Sequence, residues 1–187
     1  MSQSKLIILI GPMGAGKTTI GALLAEKLNI PQVSMDNLRW DYYNEINYNS
    51  EKGKQLLEQD GFEALYRYWK PFEAYAVERI LADHDNCVID LGGGHSVYED
   101  EALFTRVETA FEPYDNVILL LPSSDLDRSV KILRERVDYE IDTTFDVFEL
   151  FTKHPSNQKL AKHVVYTEGK TPQETCTEIL NYIKSQA

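Results

Sequence analysis

The chain has 187 residues, 43% of them hydrophobic, which suits one domain with a proper core. Thirty acidic against 19 basic residues leave a formal net charge of −11, which argues against nucleic acid or an anionic membrane as partner. An anionic ligand must then be drawn in by a local positive site, so each arginine is worth following. No apolar run approaches membrane-spanning length, and Met1 to Lys5 lead into a strand without a charged-then-apolar leader. A cytoplasmic protein, monomeric or weakly dimeric, is expected. Cys87 and Cys176 lie far apart with no metal-ligand spacing, so buried, reduced thiols are expected rather than zinc or a disulfide.

Leu6 to Ile10 is a continuous apolar run suited to a parallel strand covered on both faces. It leads into Gly11-Pro-Met-Gly-Ala-Gly-Lys-Thr18, which fits G-x-x-x-x-G-K-[ST] without a mismatch, and a helix is expected over Lys17 to Leu28. Strand, loop and helix in that order make a P-loop. Gly11, Gly14 and Gly16 let the backbone N–H groups from Gly14 through Ala15 to Thr19 face phosphate oxygens. Lys17 reaches the β- and γ-phosphates, and the Thr18 hydroxyl holds magnesium. ATP and Mg²⁺ are the expected cofactors.

Gln32 to Met35 reads as a short strand with Asp36 at its C-terminal end, where open α/β sheets place their ligands. Asp36 is either a ligand-facing acid or the N-cap of the helix that begins at Asn37. Asp41 to Asp60 reads as broken helix and loop, because Asn44, Asn47 and Asn49 weaken a long helix. Phe62 to Asp83 has helical spacing, with a kink or restart at Pro71. By periodicity Arg67 and Lys70 are solvated charges.

The next strand, Cys87 to Leu91, runs into Asp90-Leu-Gly-Gly-Gly-His95. An acid at a strand end can face the magnesium of a P-loop through water, which makes Asp90 a metal-site candidate. Three consecutive glycines favour close approach of backbone to a ligand over a plain tight turn. His95 either bonds that ligand or is solvated. Glu99 to Phe111 is amphipathic, and Val117 to Leu121 is the most apolar strand. A helix from Asp125 to about Val137 carries Arg128, Arg134 and Arg136 outward, as ligand contacts or as cations suited to a helix C-terminus. Asp138 to Leu150, acidic and aromatic, reads as a lid. A short helix over Asn157 to His163, a strand over Val164 to Thr167 and a helix from Thr171 or Pro172 complete the chain.

Strands alternating with helices argue for a parallel α/β sheet covered on both faces. The run GPMGAGKTTIG from Gly11 to Gly21 resembles the P-loop of shikimate kinases. Leu91 to Gly94 is similar to that family's glycine triplet in the acceptor site, and Asn157 to Leu180 to its last strand and helix. The resemblance implies a three-layer P-loop NTPase sandwich, with a five-stranded sheet of order 2-3-1-4-5 as in the nucleoside monophosphate kinase group. It implies one domain over residues 1–187, an acceptor region at about 36–83 and a lid at about 137–153. The implied reaction is transfer of the γ-phosphoryl group of ATP to a hydroxyl of a small molecule.

Carried over by residue, Asp36 matches the aspartate that binds the acceptor hydroxyl and takes its proton, and Gly92, Gly93 and Gly94 contact the acceptor through backbone groups. Arg67 resembles the arginine that binds the substrate carboxylate. Arg134 or Arg136 matches the lid arginine that approaches adenine or the phosphates, so the catalytic set is Lys17, Asp36 and Arg136. The chain departs from the family pattern at Ser34, where the first acid of Asp-x-Asp stands, and at Arg39, where glutamate is usual. It also has a longer interval between Asp36 and Arg67, and Arg136-Val-Asp-Tyr139 in place of Arg-Pro-Leu-Leu. Arg39 and Arg67 suit an anionic acceptor. The aromatic residues between Trp40 and Trp69 leave open a stacking wall for a nucleoside, nucleotide or antibiotic. The altered positions leave open an ATP-binding regulator without kinase activity.

Overall fold

Short runs of isoleucine, leucine and valine form five strands: β1 Ile7–Ile10, β2 Gln32–Ser34, β3 Val88–Asp90, β4 Val117–Leu121 and β5 His163–Tyr166. They make one sheet of order β2-β3-β1-β4-β5 in which every neighbouring pair is parallel. The computed structural model describes residues 6–137 and 145–186. Within them the helices are α1 Lys17–Leu28, α2 Met35–Glu45, α3 Ser50–Asp83, α4 Glu101–Phe111, α5 Leu126–Arg136, α6 Val147–Lys153, α7 Pro155–Leu160 and α8 Pro172–Ser185. None of them is long and apolar enough to cross a membrane.

Parallel strands bury both faces, and the alternation of their side chains divides the core in two. Ile8, Ile10, Ile89, Leu119 and Leu121 pack with residues of α2, α3, α4 and α7. Ile7, Leu9, Val88, Ile118 and Leu120 pack with α1, α5, α6 and α8. Each such side chain contributes roughly 1.5–3 kcal/mol of burial. The central strands β1 and β4 thus anchor the loops that leave their C-terminal ends. Cys87 and Cys176 are buried and unpaired, one in each half of the core.

Two expected features differ. Residues 50–60 are helical rather than loop: Asn47 turns the chain at φ 62°, Asn49 caps α3 by accepting from Lys52 N–H, and the helix starts at once. The break within α3 falls at Gly61, whose φ of 82° and ψ of −176° suit glycine, while helical backbone continues through Pro71. Proline removes one N–H donor and crowds the carbonyl one turn earlier, and packing of the flanking buried residues holds the helix across it. At the other end of the chain, Thr171 and Glu174 form a reciprocal capping box that starts α8 at Pro172.

Candidate active site

The loop after β1 is held to the sheet at Gly11, whose φ is 134° and where a Cβ would lie 2.4 Å from the Leu120 carbonyl oxygen. No other residue fits there. Gly14 and Gly16 also have positive φ, and Gly16 stands at the N-cap of α1. The first turn of α1 carries no acidic side chain, so its partial positive charge faces the loop uncompensated. Lys17 is buried, and its Nζ donates to the carbonyls of Gly11 (2.7 Å) and Pro12 (2.9 Å). Burial pushes its pKa down to about 8, and the charges of Asp36 and Asp90 oppose that shift. Ala15 is buried, with its N–H turned to the Pro12 carbonyl at 3.3 Å.

A cleft of about 270 Å³ opens over this loop, lined by Gly14, Gly16, Lys17, Thr18 and Thr19 on one side and by Asp36, Gly92 and Gly93 on the other. A larger shallow groove along α8 offers no comparable grouping. Gly93 packs so closely on the P-loop that a Cβ would come within 2.8 Å of Met13 N.

Asp90 is a buried hub. The register pairs it with Leu9 on one side and Ser34 on the other. It accepts from Thr18 Oγ1 at 2.9 Å, Ser34 Oγ at 2.9 Å and Gln32 Nε2 at 2.8 Å. Gln32 Nε2 also reaches the Thr18 carbonyl at 3.0 Å, and a second concavity of about 280 Å³ between Thr18, Gln32, Ser34 and Asp36 adjoins the first. A hydroxyl and a carboxylate oxygen in contact, with only neutral donors around the carboxylate, are the oxygen donors magnesium takes. Among the described residues no three His, Cys, Asp or Glu side chains gather as metal ligands. The pair therefore fits an ion that completes its shell with phosphate oxygens and water. Sequence reading missed Gln32 and noted Ser34 only as a departure from the family pattern, although two polar residues at alternate positions of β2 were the available signal.

Asp36 lies in the first turn of α2, exposed, while Ser34 is the N-cap residue. The capping alternative for Asp36 is thereby corrected: the side chain is free to face the cleft. Arg39 is half-buried, its guanidinium 4.4 Å from the Trp40 ring centre and 5.6 Å from that of Trp69, with its Nε unpartnered. Trp40 packs on Tyr43, Tyr48 and Trp69, and Tyr48 stacks on Tyr68, so these rings pack chiefly on one another. Arg67 faces solvent and pairs with Glu63 one turn earlier, and no described contact joins it to Asp36 or the glycines.

The inward face of α3 instead presents Lys70 and Glu73, buried as a pair. Lys70 is thus corrected from a solvated charge. Its Nζ also donates to the carbonyls of Gly94 (2.9 Å) and Val97 (3.0 Å), which ties the glycine loop to α3. Burial pushes the Glu73 carboxyl up, but the charge and hydrogen bond of Lys70, with a smaller contribution from Arg39, outweigh this and hold it below the usual carboxylate range. A Cβ on Gly94 would lie 3.2 Å from Glu73 Oε1 and 3.4 Å from Lys70 Nζ, so this glycine packs tightly on the buried pair. The signal in the sequence was the inward stripe Tyr66, Lys70, Glu73 and Val77 at helical spacing, with two opposite charges inside it.

At the end of α5, Arg136 Nη1 donates to the Gly14 carbonyl at 3.4 Å, and Val137 Cγ2 lies 2.7 Å from where a Gly14 Cβ would stand. Arg134 turns away to Asp146, which caps α6 through the N–H groups of Phe148 and Glu149. Of the two arginines, Arg136 is the one at the P-loop. The first part of the expected lid, residues 138–144, lies outside the described residues.

The family model for shikimate kinase matches residues 13–184. Shikimate kinases from Persephonella marina and Streptomyces coelicolor are each 30% identical to the chain. The first covers 95% of this chain and 98% of its own, the second 97% of each. Among solved structures, shikimate kinase from Acinetobacter baumannii in complex with shikimate superposes with a TM-score of 0.67 at 18% identity, over 99% of this chain and 95% of that one. The enzyme from Aquifex aeolicus gives 0.58 at 24% identity over 97% of each. These two carry the fold, and the match along the sequence carries the kinship: the chain belongs to the shikimate kinase family, ATP-dependent phosphotransferases that act on a hydroxyl group.

Proposed function

We propose that the chain transfers the γ-phosphoryl group of ATP to a hydroxyl of shikimate or of a similarly small, anionic, hydroxylated ring. The observation that carries this reading is that Lys17 and Thr18, which suit a triphosphate, and Asp36, which suits a hydroxyl, line one cleft. Lys17 leaves its loop carbonyls for the β- and γ-oxygens, and the N-terminus of α1 supports the same charge. Thr18 and Asp90 would hold magnesium, which would neutralise phosphate charge when bound. Asp36 orients the acceptor hydroxyl and takes its proton, Gly92, Gly93 and Gly94 shape the floor beneath the acceptor, and Arg136 meets phosphate charge from the P-loop side.

Anion recognition on the acceptor side rests on Arg39, a half-buried cation with an unpartnered nitrogen and, among the described residues, no carboxylate partner. Arg67 takes part only by leaving Glu63. The stacking-wall alternative has little to use, since those rings pack on one another. A thermal-shift screen with a non-hydrolysable ATP analogue tests the acceptor class. Shikimate should raise the midpoint saturably and nucleosides should not; the reverse pattern moves the acceptor to flat, uncharged rings.

A further inference from the structure

The His95 side chain has no role in the chemistry above, is only 1% exposed, and has one ring nitrogen without a partner. Its Nε2 lies 3.4 Å from the Tyr43 hydroxyl. Its Nδ1 lies 2.6 Å from the position a Gly92 Cβ would take, and Asp36 Oδ1 lies 3.0 Å from that same position. An unpartnered buried nitrogen and an acid that accepts no hydrogen bond among the described residues therefore both crowd the space that a Gly92 side chain would need. The charged groups acting on the imidazole are Glu73 and Lys70 from α3 and Asp36 and Arg39 from α2. Burial dominates them and pushes its pKa down to about 4, so the ring is neutral at physiological pH.

We propose that His95 is a positioning residue for Asp36, its Nδ1–H donating to Asp36 Oδ1 across the bare Cα of Gly92 when the acceptor binds, with the Tyr43 hydroxyl donating to Nε2. This rests on the kinase reading, since it is the acceptor hydroxyl that Asp36 has to orient. A neutral imidazole has one donor and one acceptor nitrogen. With a carboxylate on the Nδ1 side and a hydroxyl on the Nε2 side, the Nδ1–H tautomer satisfies both. Holding one oxygen of Asp36 fixes the plane of the carboxylate and leaves the other oxygen for the acceptor, as outer partners fix the ligands of a metal site. The glycine at 92 then leaves room for this bond, because a Cβ there would collide with His95 Nδ1 and press on Asp36 Oδ1. His95 transfers no proton.

The test has two arms. Steady-state ADP release with MgATP and shikimate compares His95→Leu with His95→Asn, which keeps an N–H donor at the δ position. His95→Leu should lower kcat by roughly 10- to 100-fold, as for outer-shell partners elsewhere, with the KM for ATP unchanged. His95→Asn should recover most of the loss, and His95→Leu should cost little further in an Asp36→Asn background. Wild-type kcat in His95→Leu, or equal losses in both variants, overturns the proposal. The second arm is histidine ¹⁵N NMR of the wild type, which needs neither turnover nor a folded variant. It should show His95 neutral and protonated at Nδ1 from about pH 8 to about pH 5. An Nε2–H tautomer or a cationic ring overturns the proposal even if no acceptor is turned over, whereas absent turnover with the Nδ1–H tautomer present counts against the kinase reading alone.

Discussion

Two arginines carried the expectation of an anionic acceptor, and their surroundings separate them. Arg67 is solvated and its charge is already matched by Glu63, an exposed pair of little energetic weight. Arg39 is half-buried against Trp40 and Trp69 with a free Nε. A charge-assisted bond to an acceptor carboxylate contributes about 1.5–3 kcal/mol, so Arg39→Ala should raise the acceptor KM roughly 10- to 100-fold, while Arg67→Ala should change it less than about threefold. Initial-rate kinetics at saturating ATP decide it, and equal effects would return Arg67 to the acceptor site. His95 gives a second consequence. Its pKa is about 4 in the fold against an ordinary value of 6.5, so between these values the unfolded chain binds the proton and the folded one does not. The stability this group contributes is complete above about pH 6.5 and is lost as pH falls towards 4, by about 3 kcal/mol in all. Urea midpoints between pH 7 and pH 4.5 should therefore fall more steeply for wild type than for His95→Leu; parallel slopes would show that the ring is not held neutral.

At the scale of elements, the boundaries that rest on local chemistry were legible. Lys17–Leu28 and Val117–Leu121 follow directly from the P-loop pattern and an unbroken apolar run. Three asparagines suggested broken helix and loop over Asp41 to Asp60, yet Asn47 and Asn49 make only the joint between α2 and α3, one in the left-handed region and one as the cap of α3. Propensity weakens a helix where those residues fall inside it, and here the chain starts a new helix just beyond them. Pro71 drew attention away from Gly61, where the backbone leaves the helix. A Cβ at Gly61 would meet nothing within 4 Å, so Gly61→Ala should act through backbone strain alone, costing about 1–3 kcal/mol. Calorimetry should show a midpoint several degrees lower with kcat retained; an unchanged midpoint would mean that the helix straightens through this position without cost.

For the whole molecule, the order β2-β3-β1-β4-β5 brings the ends of β1, β2 and β3 together, so Thr18, Ser34 and Asp90 meet although 16 and 56 positions part Ser34 from the other two in sequence. The nucleotide half of the site was readable because one continuous motif builds it. The proposed acceptor half draws on β2, α2, α3 and the Gly92 to Gly94 loop, and long-range packing decides which charges turn inward. That is why Lys70 and Glu73, rather than Arg67, stand behind the glycines. In the proposed reaction one cleft joins an ATP site to an acceptor hydroxyl held by Asp36. Its most direct measurement is product analysis after incubation with MgATP and shikimate, for wild type, Lys17→Ala and Asp36→Asn. The wild type should form one equivalent of a shikimate phosphate ester per ADP, and each variant should lose roughly 10²-fold or more in rate. ADP release without a phosphate ester, or ester formation undiminished in Asp36→Asn, would contradict it.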